Sequence, residues 1–192
     1  MTVRDFLFIS GDPALDFVNT EIVRDGEPVD LLESREALAD WLTAAGILPR
    51  ERARAAATPA ALAGVLELRT SLREVASHMA SGKPPRRADV AVIDGHLHRG
   101  HGSLTLQQRE GRMVSAFEPD PAVADDPRYL LARAAATFLA MADPGRIHAC
   151  QGAKCILFFY DVTKSGTRRW CSMSGCGNRA KAAEHYRKQK LR

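Results

Sequence analysis

Four cysteines near the carboxyl end of the chain are the residues best suited to chemistry. They form two equal pairs, each with four residues inside it, which are separated by fifteen residues, and the sequence has no other cysteine. Zn²⁺ favours four thiolates in a tetrahedron at about 2.3 Å, and a short loop lets each pair present both sulfurs from one turn. The spacing therefore predicts one Zn²⁺ held by Cys150, Cys155, Cys171 and Cys176.

Two disulfides, or four unrelated buried thiols, are the alternatives to zinc. The opening sequence MTVRDFLFIS has only a short apolar stretch, with Arg4 and Asp5 before it and Gly11-Asp12-Pro13 after it. A secretory h-region needs about 7–15 apolar residues and a membrane span about 20. We therefore expect a cytoplasmic protein without a membrane partner, and a reducing compartment disfavours disulfides.

A zinc ion with four cysteine ligands has a structural role. Catalytic sites keep one position open for water and use histidine or carboxylate ligands, whereas four thiolates close the coordination sphere. A segment as short as residues 150–192 buries too little apolar surface to be stable alone, and structural zinc contributes about 10–16 kcal/mol in comparable peptides. Between the pairs, ILFFYD and TRRWC predict two strands around Lys164-Ser165-Gly166, and a helix begins near Asn178. This order is typical of a treble-clef zinc module.

The residues before the cysteines carry start signals for several helices. Ser34 is a favourable N-cap, and Thr58-Pro59 and Asp126-Pro127 each combine an N-cap with a proline in the first turn. Apolar residues recur at intervals of three and four after each of these signals. We therefore predict three main helices in this part of the chain.

A change of periodicity predicts a small β element between the second and third of these helices. The helical spacing of apolar residues ends here, and two strand-like segments, SLTLQQRE and RMVSAFEP, lie on either side of Glu110-Gly111. This arrangement predicts a hairpin. The sequence DPG at 143–145 ends the last helix, and we place a domain boundary there. The predicted fold class is α+β: a mostly helical domain with a small antiparallel β element at 1–145, then a treble-clef-like zinc module at 146–192.

The two parts of the chain have opposite charge. Residues 150–192 contain ten basic and two acidic residues, a net charge of +8, so residues 1–149 carry −4 within the whole-chain charge of +4. A basic segment of this kind is suited to a polyanion, although a basic tail can also serve solubility alone.

The carboxyl-terminal segment also resembles a known family. The tail RRWCSMSGCGNRAKAAEHYRK resembles the CGNR zinc finger, named for the run that here spans 176–179 and that follows the tripeptide RWC at 169–171. PALDFVNT at 13–20 and LLESRE at 31–36 are similar to the ABATE domain, which is usually found in front of this finger. The resemblance covers nearly the whole chain and implies a stress-induced transcriptional regulator whose zinc finger binds DNA.

The residues of the tail agree with a DNA-binding role. On a helix that begins at Asn178, Lys181 and Lys188 share one side, while Arg168 and Arg169 lie just before the third cysteine. These four residues are the predicted phosphate contacts. A solvated basic face is the simpler alternative, and no side chain of the helix gives a base-reading pattern. Because a single short finger binds DNA weakly, we also expect a homodimer.

Two other classes of function remain open. The zinc module could dock a partner protein or a second copy through Phe158, Phe159, Tyr160 or Trp170. Alternatively, the zinc could be purely structural in a protein that binds a small-molecule effector through its first domain. We name Asn19 and Thr20 as candidate ligand contacts, with local hydrogen bonding an equal alternative.

An enzyme is the class that the sequence supports least. The chain has no glycine-rich phosphate loop and no nucleophile elbow, and zinc would occupy every cysteine. We therefore predict a protein without catalytic residues.

Overall fold

The computed structural model describes residues 6–190. Arg4 and Asp5, which precede the short apolar stretch near the N-terminus, and Arg192 of the basic tail lie outside the described residues. The described elements, in chain order, are α1 (Pro13–Val18), β1 (Glu21–Arg24), β2 (Glu27–Asp30), α2 (Arg35–Ala44), α3 (Arg50–Ala56), α4 (Pro59–Ala80), α5 (Arg87–Leu97), β3 (Gly102–Arg109), β4 (Arg112–Pro119), α6 (Pro127–Met141), β5 (Ile147–Ala149), β6 (Phe158–Tyr160) and α7 (Asn178–Lys190).

The helices begin where the capping residues predict. The side chains of Ser34, Thr58 and Asp126 each accept a hydrogen bond from a backbone N–H in the first turn of α2, α4 and α6. Pro59 and Pro127 occupy the first position of α4 and α6, where a missing N–H costs nothing. The predicted helices are confirmed, and so is the fold class of a mostly helical chain with small antiparallel sheets.

The central helix of the first domain is α4. It packs against α1, α2, α5, α6 and β5. Its inward face includes Val65, Leu68 and Leu72, all with no exposed surface, and the fully buried Trp41 of α2 belongs to the same core. The side of α4 on which the apolar residues recur therefore faces the main hydrophobic core.

A short hairpin that was not among the predicted elements lies next to α1. Strands β1 and β2 are antiparallel and are joined at Asp25-Gly26, where both residues have positive φ, of 54° and 94°. Asp-Gly is a strong signal for a two-residue hairpin turn. The signal was present, but only four residues flank it on each side, so no alternation was visible.

Arg69 of α4 anchors this hairpin from inside the protein. Its side chain is 3% exposed, and its two Nη atoms lie 2.7 and 2.6 Å from the carboxylate oxygens of Asp30. It also donates to Thr20 Oγ1 at 2.9 Å and to Glu21 Oε1 at 3.3 Å. Burial opposes ionisation of Asp30, but the hydrogen bonds from Arg69 and from Leu32 N–H, together with the positive charge of Arg69, outweigh it and lower the pKa of Asp30 below its usual value.

Replacing Arg69 with methionine should lower the free energy of unfolding by about 2–3 kcal/mol. Removing one partner of a fully buried ion pair costs about 3–5 kcal/mol, and the loss is smaller here because the Asp30 and Glu21 side chains remain 39% and 35% exposed. Arg52→Met is the control, because Arg52 pairs with Asp125 on the surface and its loss should change stability very little. Denaturant unfolding of the two variants measures the difference, and equal losses would contradict the anchoring role of Arg69.

The strands near the cysteines differ from the prediction. Phe158–Tyr160 does form β6, but it pairs with β5 before the first cysteine and not with the TRRWC segment. Residues 167–169 do not form a strand, and Gln151 N–H donates to Arg169 C=O at 2.9 Å. The predicted hairpin around Lys164-Ser165-Gly166 is therefore wrong, because β6 pairs with β5 and the segment after the turn bonds to Gln151 instead.

Packing continues across the predicted boundary near residue 145. Ile147 of β5 and Phe158 of β6 belong to the main core of the first domain. A second apolar cluster combines Ile22 and Leu31 of the first domain with Phe159 and the buried cysteines. The cysteine module and the helical domain therefore share their apolar cores.

Candidate metal centre and nucleic-acid interface

The four predicted ligands lie together. Their sulfur atoms are all within 4.8 Å of one another, and three of the four residues are buried, with Cys155 half-buried. The Sγ atom of Cys171 is 3.9 Å from that of Cys155 and 3.6 Å from that of Cys176. In a tetrahedral zinc site with Zn–S bonds of about 2.3 Å, the sulfurs are about 3.8 Å apart. Both the donor set and its spacing fit Zn²⁺.

Two tight turns position the sulfurs. In the first pair, Lys154 adopts a positive φ of 61°, and Cys155 N–H donates to Gly152 C=O at 3.0 Å. In the second pair, the hydroxyl of Ser172 accepts a hydrogen bond from Gly175 N–H at 3.0 Å and starts the single turn Met173–Gly177 that carries Cys176. Helix α7 begins directly after this turn, so the last ligand and the helix are held together.

Hydrogen-bond donors surround the sulfurs. Cys171 N–H lies 3.2 Å and Gly152 N–H 3.4 Å from the sulfur of Cys150, and Arg179 Nη2 lies 3.0 Å from the sulfur of Cys176. Four thiolates and one Zn²⁺ form a dianionic unit, which N–H donors and a guanidinium stabilise. Arg179, three residues after the last cysteine, therefore belongs to the metal centre.

Without a cation, the thiols of Cys155, Cys171 and Cys176 do not all ionise at neutral pH. A hydrogen bond from Cys171 lowers the pKa of Cys155 to about 5, whereas burial raises the pKa of Cys176 to about 11. The pKa of Cys171 is raised most, because its proton is shared with the neighbouring sulfur and ionisation would place two negative charges side by side. Metal binding at this site must therefore release protons, which makes its affinity dependent on pH.

Gly152 leaves the space that the cluster needs. A Cβ atom at this position would lie 2.8 Å from the sulfur of Cys176 and 3.3 Å from Cβ of Cys155. Any larger residue would push the two pairs of cysteines apart. The glycine between the first two ligands is thus a steric requirement of the centre.

Two family models match the chain. The ABATE model, described as "Putative stress-induced transcription regulator", matches residues 11–142, which is more than half of the sequence. The chain belongs to the ABATE family. The CGNR zinc finger model matches residues 146–189 and includes all four cysteines. No curated protein gave a match.

The family and the geometry together identify the centre as a CGNR zinc finger with Zn²⁺ as its metal. Neither family description names an enzyme. Within residues 6–190, every helix is too short or too polar to cross a bilayer.

Arg168, one of the predicted DNA contacts, is used inside the finger. Its guanidinium donates to the carbonyl oxygens of Ile9, at 3.1 Å, and of Trp170, at 3.0 Å, and also to that of Cys171. It lies 4.3 Å from the centroid of the Phe159 ring. These contacts tie the third ligand to Ile9, just before the ABATE domain, so the guanidinium of Arg168 is engaged within the protein rather than presented to DNA.

Asp161 shapes the loop that carries Arg168. Burial alone would raise the pKa of Asp161, but hydrogen bonds from the hydroxyl and N–H of Thr163 and from Arg168 N–H lower it to about 2. Arg146 donates to the carbonyl oxygens of Asp161 and Thr163, both at 2.9 Å. This role of Asp161 was not predicted, although an aspartate that bonds the backbone two residues later is a known turn signal.

Arg169, Lys181 and Lys188 are exposed, as a DNA surface requires. Arg169 donates to Gln151 Oε1 at 2.7 Å and lies over the Trp170 ring, with 5.0 Å between its guanidinium carbon and the ring centroid. Lys188 forms an exposed pair with Glu184 at 2.7 Å. None of these contacts buries the charge, so all three remain available to a polyanion.

The aromatic residues of the finger do not form an exposed surface for a partner. Phe158 and Phe159 are buried, and Tyr160 packs edge-on against Phe138 of α6, with 5.6 Å between the ring centroids. Trp170 is half-buried and packs against the second apolar cluster. The alternative of docking through these residues therefore has no structural support.

Asn19 and Thr20 are part of the folded core. Asn19 is 1% exposed, and its side chain accepts from Phe158 N–H at 2.9 Å and donates to Phe158 C=O at 2.8 Å. Thr20 is 2% exposed, donates to Phe17 C=O and accepts from Arg69. Both side chains thus have protein partners, which favours hydrogen bonding within the fold over ligand contact.

A cleft lies elsewhere in the molecule, where the ABATE domain meets the finger. Its volume is about 700 Å³, and its walls include Ile47 at the end of α2, Leu130, Thr137 and Met141 of α6, and Tyr160 of β6. Neither Asn19 nor Thr20 borders it. A ligand of the ABATE domain would therefore need other contacts than the two predicted ones.

Replacing Asn19 with alanine should destabilise the protein by about 2 kcal/mol. The substitution leaves the buried N–H and C=O groups of Phe158 without partners, and each unsatisfied buried group costs about 1–3 kcal/mol. Asn178→Ala is the control, because Asn178 is exposed and makes only a long 3.4 Å hydrogen bond. Thermal unfolding compares the two variants, and equal melting temperatures would contradict this role of Asn19.

Proposed function

We propose that this protein is a zinc-dependent, DNA-binding transcription regulator that contacts DNA through α7. The observation that carries the proposal is the exposure and the charge of this helix. None of the thirteen residues of α7 is buried, five of them are basic and one is acidic. A helix of this composition gains little from packing on its own protein, and its charge is suited to phosphates.

The finger holds α7 by one side only. Arg179, Ala180 and Ala183 border a shallow hollow with Gly152 and Cys176. Because residues three, four and seven apart share a side of a helix, Lys181 and Lys188 lie together on the other side. An α-helix presented in this way can enter the major groove of DNA, which is about 12 Å wide.

Arg169 extends the basic surface beyond the helix. The pKa of Glu184 is lowered first by a hydrogen bond from Lys188, and the positive charges of Arg187 and Arg169 add to this effect. Arg169, which is nine residues before the helix begins, therefore adds its positive charge to that of α7 at Glu184. Lys181, Lys188 and Arg169 form the proposed phosphate-binding surface.

The metal determines where this surface is placed. The turn that carries Cys176 leads straight into α7, and Arg179 joins the first turn of the helix to the sulfur of Cys176. Loss of the metal would release the helix from the rest of the chain. We therefore expect DNA binding to require zinc.

The direct test is a titration of the zinc-loaded full chain with duplex DNA, followed by fluorescence anisotropy. Binding at low salt that is abolished by a strong chelator and restored by added zinc supports the proposal. A zinc-loaded chain that leaves the anisotropy of the DNA unchanged at low salt would rule it out.

A further inference from the structure

The hairpin of the ABATE domain has two different faces. Strands β3 and β4 are antiparallel with Leu104 opposite Phe117 and Leu106 opposite Ser115. Residues that are paired in this way point to the same side, and the side alternates along each strand. One face therefore carries Leu104, Leu106, Gln108, Met113, Ser115 and Phe117 and has no charged residue. We call it the apolar face of the hairpin.

This apolar face is exposed to solvent. The exposed fractions are 76% for Leu104, 69% for Leu106, 61% for Met113 and 46% for Phe117. Within residues 6–190, β3 and β4 pack extensively only against each other. A two-stranded ribbon is at best marginally stable in water, and contiguous apolar patches on a monomer usually mark an interaction site.

We propose that the apolar face is covered by the same face of a second copy of this chain. The absence of charge excludes nucleic acid and does not favour a charged protein partner. The face also complements itself in an antiparallel arrangement about a two-fold axis. Leu106 lies midway along β3, so the two Leu106 side chains meet near the axis, and Phe117 at the base of one hairpin packs against Met113 near the tip of the other.

The charges along the hairpin support this arrangement. The tip carries Arg109 and Arg112 beside Glu110, whereas the base carries Glu118 and leads into Asp120. By the alternation of the strands, Arg109, Arg112 and Glu118 project from the opposite face, so they act across the dimer only at long range. An antiparallel alignment places the basic tip of each copy at the same end of the dimer as the acidic base of the other. A parallel alignment would bring like charges together, so only the antiparallel alignment is favourable at both ends.

The size of the face indicates the class of dimer to expect. Strands of eight residues extend about 27 Å, and two faces of two strands bury on the order of 1,000 Å² in total. Interfaces of this size belong to weak complexes. The dimer should therefore form with a dissociation constant on the order of micromolar, and it requires no DNA.

Sedimentation of the zinc-loaded full chain across the micromolar range tests the proposal. The wild type should shift from monomer to dimer, and the variant L104S/L106S should raise the dissociation constant by more than about 100-fold. The control Q107S/V114S changes the opposite face and should sediment like the wild type. A wild type that is monomeric at every concentration, or a control that loses the dimer equally, would overturn the proposal.

A charge exchange at Leu106 tests the two-fold axis itself. Leu106→Lys and Leu106→Asp place like charges together in each homodimer, so each variant alone should be monomeric. An equimolar mixture should recover the dimer, because Lys and Asp then face each other across the axis. Both variants should keep one zinc per chain, which shows that they are folded, and a mixture of zinc-loaded variants that stays monomeric would contradict the arrangement.

Discussion

Removal of zinc should unfold much more than the carboxyl-terminal helix. The cysteines share an apolar cluster with Ile22 and Leu31 of the ABATE domain, and Ile147 and Phe158, on either side of the first pair, belong to the main core. The sequence alone predicts that the loss of one ligand would disorder only the tail. The shared packing instead predicts that the melting temperature of the whole chain falls.

The expected fall in melting temperature on loss of zinc is large. Structural zinc contributes about 10–16 kcal/mol in small fingers, while a whole domain is stable by only about 5–15 kcal/mol. If at least about 5 kcal/mol is lost, a protein of this size should melt at least about 10 °C lower. Cys171→Ser and a strong chelator should both produce this shift.

Elemental analysis, X-ray absorption and thermal unfolding together measure this prediction. We expect one zinc per chain in the wild type, with four sulfur neighbours and no histidine. Ser174→Ala is the control, because Ser174 is exposed and lies in the same turn as Cys176, and it should keep both zinc and melting temperature. A metal-free wild type with two disulfides would contradict the zinc site, and a Cys171→Ser variant whose first domain melts like the wild type would contradict the shared core.

The local signals of this chain were readable from its sequence. An N-cap such as Ser34 acts on its own first turn, and the spacing of the cysteines reports directly on the metal, so neither depends on distant residues. The hairpin of β3 and β4 was predicted for the same reason. Its exposure was not, because an alternating pattern does not show whether another element covers the apolar face.

The roles of the buried polar residues could not be predicted in this way. Arg69 follows the spacing of the apolar face of α4, and only the three-dimensional fold shows Asp30 and Thr20 beside it. Arg168 has the charge expected of a DNA contact, yet its donors are satisfied by carbonyl oxygens of the protein. Asn19 is bonded to a residue 139 positions away. Such long-range partners leave no local pattern.

Loss of two lysines from α7 should weaken DNA binding without affecting the fold. Lys181 and Lys188 are exposed, and their only described pairing is the surface contact of Lys188 with Glu184, which is worth little in solution. The variant K181A/K188A should therefore keep its zinc and its melting temperature. Because phosphate contacts do not read sequence, its affinity should fall by a similar factor for unrelated DNA duplexes.

The control variant removes the same charge from another part of the surface. Lys83 and Arg87 lie in the ABATE domain and are both exposed. K83A/R87A lowers the net charge of the chain by as much as K181A/K188A does. If DNA attraction depended only on net charge, the two variants would lose affinity equally, whereas a specific surface on α7 predicts a loss in K181A/K188A alone.

The salt dependence of DNA affinity is the most direct test of a zinc-positioned, DNA-binding helix. For the zinc-loaded full chain, the logarithm of the binding constant should fall linearly with the logarithm of salt concentration, with a slope of about −0.9 for each phosphate neutralised. The slope should become shallower by up to about 2 units in K181A/K188A and stay unchanged in K83A/R87A. A K181A/K188A variant with the affinity and slope of the wild type would show that this face of α7 is only a solvated surface.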